Sequence, residues 1–324
     1  MSRYDAESRS VRIAERAAEA WHGTQGGSRS EIAVGVVAAL AMTRRRDRGG
    51  PDPAQALISS SDEDIAGMLS EIWSGFWIAR PKLGRLTGPF AGWLDDEPRD
   101  PGRVRAAASV ARAAAKAGLL DMAGTGSLRD CDVIGATYLH MRSDGARQAR
   151  GEFYTPPAVC KMMAEMTLGT GPQLVPGMSI AEPAAGTGGM LRAAAEWIAE
   201  AGYYPADYWW VANDISPVSV AGLAVNCHLW GLGPHVIIGV ADTLAEGNWP
   251  ERAWREQQAV REHRDQLLGT ARVLALLRNA GALLSGASAE VPAAVPPAPA
   301  QEPVRLPLPQ GPGIQLSLFG GEAA

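Results

Sequence analysis

Residues 180 to 191 read Ile-Ala-Glu-Pro-Ala-Ala-Gly-Thr-Gly-Gly-Met-Leu: an apolar strand ending in an acid, a glycine turn, then a helix start. Gly186, Gly188 and Gly189 let the backbone turn sharply and approach a ligand where a Cβ would collide, and Glu182 offers an acceptor at the strand's end. Two more apolar runs end in acids. Trp209 to Asn213 leads to Asp214, where a doubly wound fold places the acceptor for ribose hydroxyls, and Val236 to Ala241 leads to Asp242, followed by Thr243-Leu244. Strand-end acids also serve as loop residues and helix caps, so Asp214 and Asp242 keep both readings here. A phosphate loop does not fit, because no Lys-Ser or Lys-Thr follows the glycines, and a nicotinamide site would need Gly-x-Gly-x-x-Gly.

About 25 residues upstream stands Gly151-Glu152-Phe153-Tyr154-Thr155-Pro156-Pro157. Phe-Tyr-Thr-Pro followed by Glu-Pro-Ala-Ala-Gly-Thr-Gly-Gly resembles the S-adenosylmethionine site of N6-adenine DNA methyltransferases, nearest to the modification subunits of type I restriction systems. The likeness runs over roughly residues 130 to 245, including the stretch Asp132 to Leu139 ahead of the first motif. It implies a cofactor-binding set of Phe153, Tyr154, Thr155, Pro156, Glu182, Pro183, Ala184, Gly186, Thr187, Gly188, Asp214 and Asp242. By the same resemblance Phe153, Tyr154 and Thr155 close over the methionine half, Glu182 accepts from its ammonium group and Asp242 recognises the adenine amino group.

The family's catalytic tetrapeptide, (Asn/Asp/Ser)-Pro-Pro-aromatic, is missing: Pro-Pro occurs only at Pro156-Pro157 and Pro296-Pro297. Its polar side chain and proline carbonyl would accept from the target amino group while the ring stacks on a flipped base. Asn248 and Trp249, in Asn248-Trp249-Pro250, are the candidates for a degenerate active site; the other reading is a polar turn at a helix start. From Glu251 to Leu284 there is no proline, and Val260, Leu267, Leu268, Val273, Leu274 and Leu277 recur at helical spacing, which predicts one long helix or a helical hairpin. With no further strand run, the first strand is left with an open edge, to be covered by the N-terminal domain, the long helix or a second chain.

The elements that position these residues follow from composition and periodicity. Ile32 to Met42, Asp62 to Ala79 and Val104 to Leu120 read as helices, with Trp73, Trp77 and Trp93 as core residues and His140 at a helix end. Three scattered cysteines, no metal-ligand spacing, no apolar leader and no run of 18 apolar residues suit a cytoplasmic protein that spans no membrane. The net charge of −5 argues against strong, self-sufficient DNA affinity, so DNA contact would be weak or made through another subunit. Arg44-Arg45-Arg46 with Arg48 is the dense basic run, read as a solvated loop or a phosphate contact.

Eight prolines between Val291 and Pro312 make a spacer, after which Gln315-Leu316-Ser317-Leu318-Phe319 resembles the peptide by which bacterial polymerases and repair proteins dock on the sliding clamp. The expected layout is a helical N-terminal domain (1–130), a truncated doubly wound α/β domain binding S-adenosylmethionine (131–250), a long helix or hairpin (251–286) and a proline-rich disordered tail (287–324). The resemblance implies an N6-adenine DNA methyltransferase, impaired or partner-dependent for want of the tetrapeptide. The alternatives are a non-catalytic cofactor-binding protein of DNA-associated complexes, or half of a split enzyme.

Overall fold

A computed structural model describes residues 3–25, 28–43, 52–142, 155–169, 174–284 and 314–315. The helical part comprises α1 (Arg3–Gln25), α2 (Glu31–Ala41), α3 (Pro53–Ser59), α4 (Asp62–Ala79), the single turns α5 (Pro81–Gly84) and α6 (Gly88–Ala91), α7 (Pro101–Lys116), α8 (Leu119–Thr125) and α9 (Val133–His140). Starts follow local chemistry: Asp100 accepts from Gly102 N and Arg103 N ahead of Pro101, and Ser61 accepts from Asp64 N. Every residue from Ile32 to Ala41 is buried, as a helix apolar all round must be, and α4, α6, α7, α8 and α9 pack around it. The helix expected over 104–120 ends at Lys116 instead, because Gly118 takes a φ of 95° and the chain restarts as α8.

The second part runs α10 (Pro157–Gly169), β1 (Ser179–Glu182), α11 (Gly189–Glu200), β2 (Trp209–Asp214), α12 (Pro217–Leu229), β3 (Val236–Val240), α13 (Trp249–Leu284) and β4 (Ile314–Gln315). The strands form a parallel sheet in the order β3-β2-β1-β4. Alternate residues face opposite sides. Ile180, Trp210, Ala212, Val236 and Ile238 belong to one buried cluster continuous with α1, α2 and α12, while Trp209, Val211 and Ile237 meet Trp249 and Ala253 of α13 on the other face. The stretch 251–284 is thus one helix, not a hairpin. Its first turns cover the sheet, and Leu267, Leu268, Val273, Leu274, Leu276 and Leu277 farther along are exposed.

The sheet's two edges are closed by different means. Along β3, Gln257, fully buried on α13, donates its amide to Val236 O (3.2 Å) and accepts from Ile238 N (3.1 Å) in the amide orientation that satisfies both. Arg85 Nη2 donates to Ile238 O (2.9 Å) and Arg252 Nη2 to Val240 O (3.0 Å). β1 pairs with β2 over all four of its residues, and on its outer side, among the described residues, Ile180 and Ala181 are matched by Ile314 and Gln315. There the edge, expected to be covered by the N-terminal domain, the long helix or a second chain, is met by a short strand from within the stretch 287–324 that was expected to be disordered.

Candidate functional site

At the carboxyl end of β1, Glu182 is 4% exposed and its Oε1 accepts from Ala184 N (3.0 Å). Burial is the main cause that pushes its carboxyl up to about 7; the neighbouring Asp214 pushes the same way and the Ala184 N–H opposes both. Pro183 and Ala184 continue into the glycine turn. Gly186 N donates to Asp214 Oδ2 (2.9 Å), and Asp214 Oδ1 accepts from Ser216 N (2.8 Å), which binds the turn to the end of β2. Each carboxylate oxygen keeps lone pairs for a further donor, and Asp214 is only half-buried. Gly188 has a φ of 102°, and a Cβ there would lie 2.7 Å from Leu223 Cδ1 and 2.9 Å from Trp230 Cζ3, so the turn closes onto α12 only without a side chain.

Thr187, at the middle of the turn, is held from two sides. Its Oγ1 donates to Asp132 Oδ2 (3.1 Å), and Asp132 Oδ1 accepts from Asn226 Nδ2 (2.8 Å) and, as the cap of α9, from Gly135 N (2.7 Å). Asn226 also donates to Thr187 O (2.9 Å). A Cβ on Gly135 would overlap Asp132 Oδ2 and come 2.6 Å from Thr187 Oγ1, so this helix must carry glycine to approach so closely. Beside it Arg192, on α11, pairs with Glu7 of α1 (2.7 Å) and Glu196 (2.9 Å) and donates to Asp130 O (3.1 Å). Asn213, fully buried at the end of β2, donates its amide to Pro183 O (3.2 Å) and Ala241 O (3.2 Å), and Thr243 Oγ1 donates to its Oδ1 (3.0 Å), joining the loops after β1 and β3 to β2.

Most residues of the site expected from sequence thus meet at one end of the sheet. Thr155 and Pro156 precede α10, where Cys160 Sγ faces Thr155 O (3.5 Å) and lies 3.7 Å from where a Cβ on Gly189 would stand, so α10 runs against the glycine turn. Phe153 and Tyr154 lie outside the described residues, as do Arg44 to Arg48 and Leu316 to Phe319. Asp242 is exposed and caps its own turn through Leu244 N (3.0 Å). Trp249 is 5% exposed and packs over Gly239 against Trp209 and Ala253, as core; Asn248 is exposed ahead of it. Asp132, Asn213, Asn226 and Thr243 were not singled out as site residues, and the signal for Asn213 and Asn226 was a polar amide inside an apolar run.

Away from the strand ends, a groove of about 1010 Å³ lies among α1, α3 and α7, with Arg9, Arg12, Arg16 and Lys116 facing Glu19, Asp52 and Asp121. Arg9 pairs with Asp121 (2.9 Å) and Arg16 with Glu19 (2.7 Å), so its charges largely cancel. Among the described residues no group of His, Cys, Asp and Glu could hold a metal ion, and no helix is long and apolar enough to cross a membrane. The thiols of Cys160 and Cys131 are pushed up to about 11 and about 12 by burial, against any role as nucleophiles.

Residues 129–260 match the family model described as N-6 DNA Methylase. Among solved structures, the crystal structure of the type I restriction-modification system methyltransferase subunit from Streptococcus thermophilus is similar at 17% identity and a TM-score of 0.48, over 75% of this chain and 59% of that one. This chain therefore spans less than two thirds of that subunit. No curated protein matches it.

Proposed function

We propose, from the match of residues 129–260 to the N-6 DNA Methylase family model, that the strand-end site binds S-adenosylmethionine as the cofactor-binding part of an N6-adenine DNA modification system. The observation that carries this reading is geometric: Glu182, buried at the end of β1, stands at the glycine turn beside Asp214, and its burial and that neighbouring acid raise its carboxyl to about 7. Such a group calls for a cation, and the ligand's ammonium would bring one. Asp214 has lone pairs to spare for ribose hydroxyls, and the glycine turn leaves the backbone open to close approach. Phe153 to Pro156 would flank the methionine half, and Asp242, exposed on its turn, would meet the adenine. When bound, the cofactor supplies a methyl group on a positively charged sulfur, for direct transfer to an extruded adenine amino group.

The acceptors for that amino group do not come from a Pro-Pro-aromatic loop of this chain. After β3 the backbone passes through Asp242 to Asn248 straight into α13, with Trp249 in the core. This favours, as a second reading, a cofactor-binding protein whose catalytic residues are absent or supplied by another subunit that also contacts DNA. The tail run Gln315 to Phe319 remains the proposed docking peptide for a sliding clamp.

Calorimetry with S-adenosylmethionine tests the first reading: saturable one-site binding is expected, weakened by about 1–3 kcal/mol in Asp214→Ala. Absence of binding by the intact chain would remove it. Labelled cofactor and adenine-containing DNA test the second, with little methyl incorporation by the chain alone and rapid transfer as the contrary result.

A further inference from the structure

Thr187 is the one residue with a side chain between Gly186, at a φ of 55°, and Gly188, at a φ of 102°. Glycine loses more conformational freedom on ordering than any other residue, so a turn of this composition keeps one shape only where something holds it. Two carboxylates do. Asp214 accepts from Gly186 N, and it stands half-buried at the strand ends, where a ligand also meets it. Asp132 comes from outside the sheet: it caps α9 and is 6% exposed. We propose that Asp132 is a positioning residue of the strand-end site, holding the glycine turn in its ligand-accepting shape from the helical side without touching the ligand itself.

The hydrogen bonds around Thr187 close a ring. Its Oγ1 donates to Asp132 Oδ2 (3.1 Å), Asn226 Nδ2 donates to Thr187 O (2.9 Å), and the same nitrogen donates to Asp132 Oδ1 (2.8 Å). Thr187 is thus fixed at its side chain and at its carbonyl, which sets the plane of the peptide entering Gly188. All three residues are buried, so water does not compete for these bonds. The helices are also shaped to the same side chain. A Cβ on Gly135 of α9 would come 2.6 Å from Thr187 Oγ1, and one on Gly222 of α12 would come 3.2 Å from Thr187 Cγ2. Burial pushes the Asp132 carboxyl up, and the donors of Gly135 and Asn226, the charge of Arg192 and the Thr187 hydroxyl push it back. A turn ordered in advance spares a ligand the cost of ordering it. The effect on S-adenosylmethionine rests on the reading of the site proposed above; the anchoring of the turn does not.

The test compares the intact wild-type chain with Thr187→Val, which keeps the shape without the hydroxyl, Thr187→Ser, which keeps the hydroxyl, and Asp132→Asn. Without ligand, hydrogen exchange of the peptide spanning residues 184–191 should be roughly tenfold faster in Thr187→Val and Asp132→Asn than in wild type or Thr187→Ser. Residues 209–214 and 236–240 should be unchanged. In calorimetry the dissociation constant for S-adenosylmethionine should rise roughly tenfold in the same two variants and stay within about threefold of wild type in Thr187→Ser. Combining Thr187→Val with Asp132→Asn should weaken binding little beyond the worse single change, because both break one ring. Equal exchange at 184–191 in all chains, faster exchange in all three segments alike, or unchanged affinity in the variants of a wild type that binds, overturns the positioning role. A wild type that binds no S-adenosylmethionine removes the ligand reading, and the exchange result then upholds or overturns the anchor by itself.

Discussion

Along β3 the sheet ends in side chains, Gln257, Arg85 and Arg252, whereas along β1 it ends in two residues of backbone lent by the tail. The first edge is closed by α13 as part of the core and cannot open without loss of packing. The second is met, among the described residues, by the backbone of Ile314 and Gln315. The candidate site lies between them, built from β1 and β2 and tied by Asn213 to the loop after β3. The difference sets an edge locked into the core beside one met by a strand from far along the chain.

The strongest test of the contrast is Gln257→Ala. It leaves two edge groups of β3 unpaired inside the protein and opens space under α13, so denaturant titration should find a loss of about 3–5 kcal/mol. A loss below about 1 kcal/mol would make the two edges alike.

Glu182 comes next, because its state depends on pH. Its folded value of about 7 stands above the ordinary 4.5, so the stabilisation it gives is fully present below pH 4.5 and is lost as pH rises through about 7. Glu182→Gln should therefore be more stable than wild type at pH 8, by up to about 3 kcal/mol, and level with it near pH 5. For the proposed cationic ligand the sign reverses. Binding needs the carboxylate, so wild-type affinity should climb between pH 5 and pH 7 with release of up to one proton, seen by calorimetry in buffers of different ionisation enthalpy. No proton release would detach Glu182 from the ligand.

A smaller effect is expected at Thr187. Thr187→Val keeps the shape but leaves Asp132 short of one donor, and should lower unfolding stability by about 1–2 kcal/mol, with Thr187→Ser restoring most of it. One of similar size concerns the tail. Replacing Ile314 and Gln315 by proline should change thermal stability by about 1–2 kcal/mol, since the two described backbone pairs with β1 are lost.

Much of the candidate site was legible because β1 and β2 are short apolar runs ending in Glu182 and Asp214, β3 leads within two residues to Asp242, and the glycines between β1 and α11 mark a tight turn. The helix from Trp249 to Leu284 was legible as helix, while the choice between one helix and a hairpin, left open by Gly269 in its middle, was settled only by the fold. What sequence did not disclose depends on distance along the chain. Asp132 meets Thr187 across 55 positions and Asn226 across 94, and nothing local marks those partners. Gln257 reads as one polar residue among many on a helix until β3 is set beneath it. The break at Gly118 is visible only as one glycine after an alanine-rich run, and the strand at Ile314 is defined by its pairing with Ile180 of β1, more than 130 residues earlier.

The ion pair between Arg192 and Glu7 bears on how the molecule can be cut. An expression fragment starting at residue 129, where the family match begins, would keep the glycine turn and all four strands yet lose the helices ahead of it, leaving Arg192 without Glu7 and removing α1 from the helix over 133–140 and α2 from the helix over 217–229. The stretch that sequence comparison picks out thus shares its core with the helices that precede it, and cutting at its boundary cuts through that core.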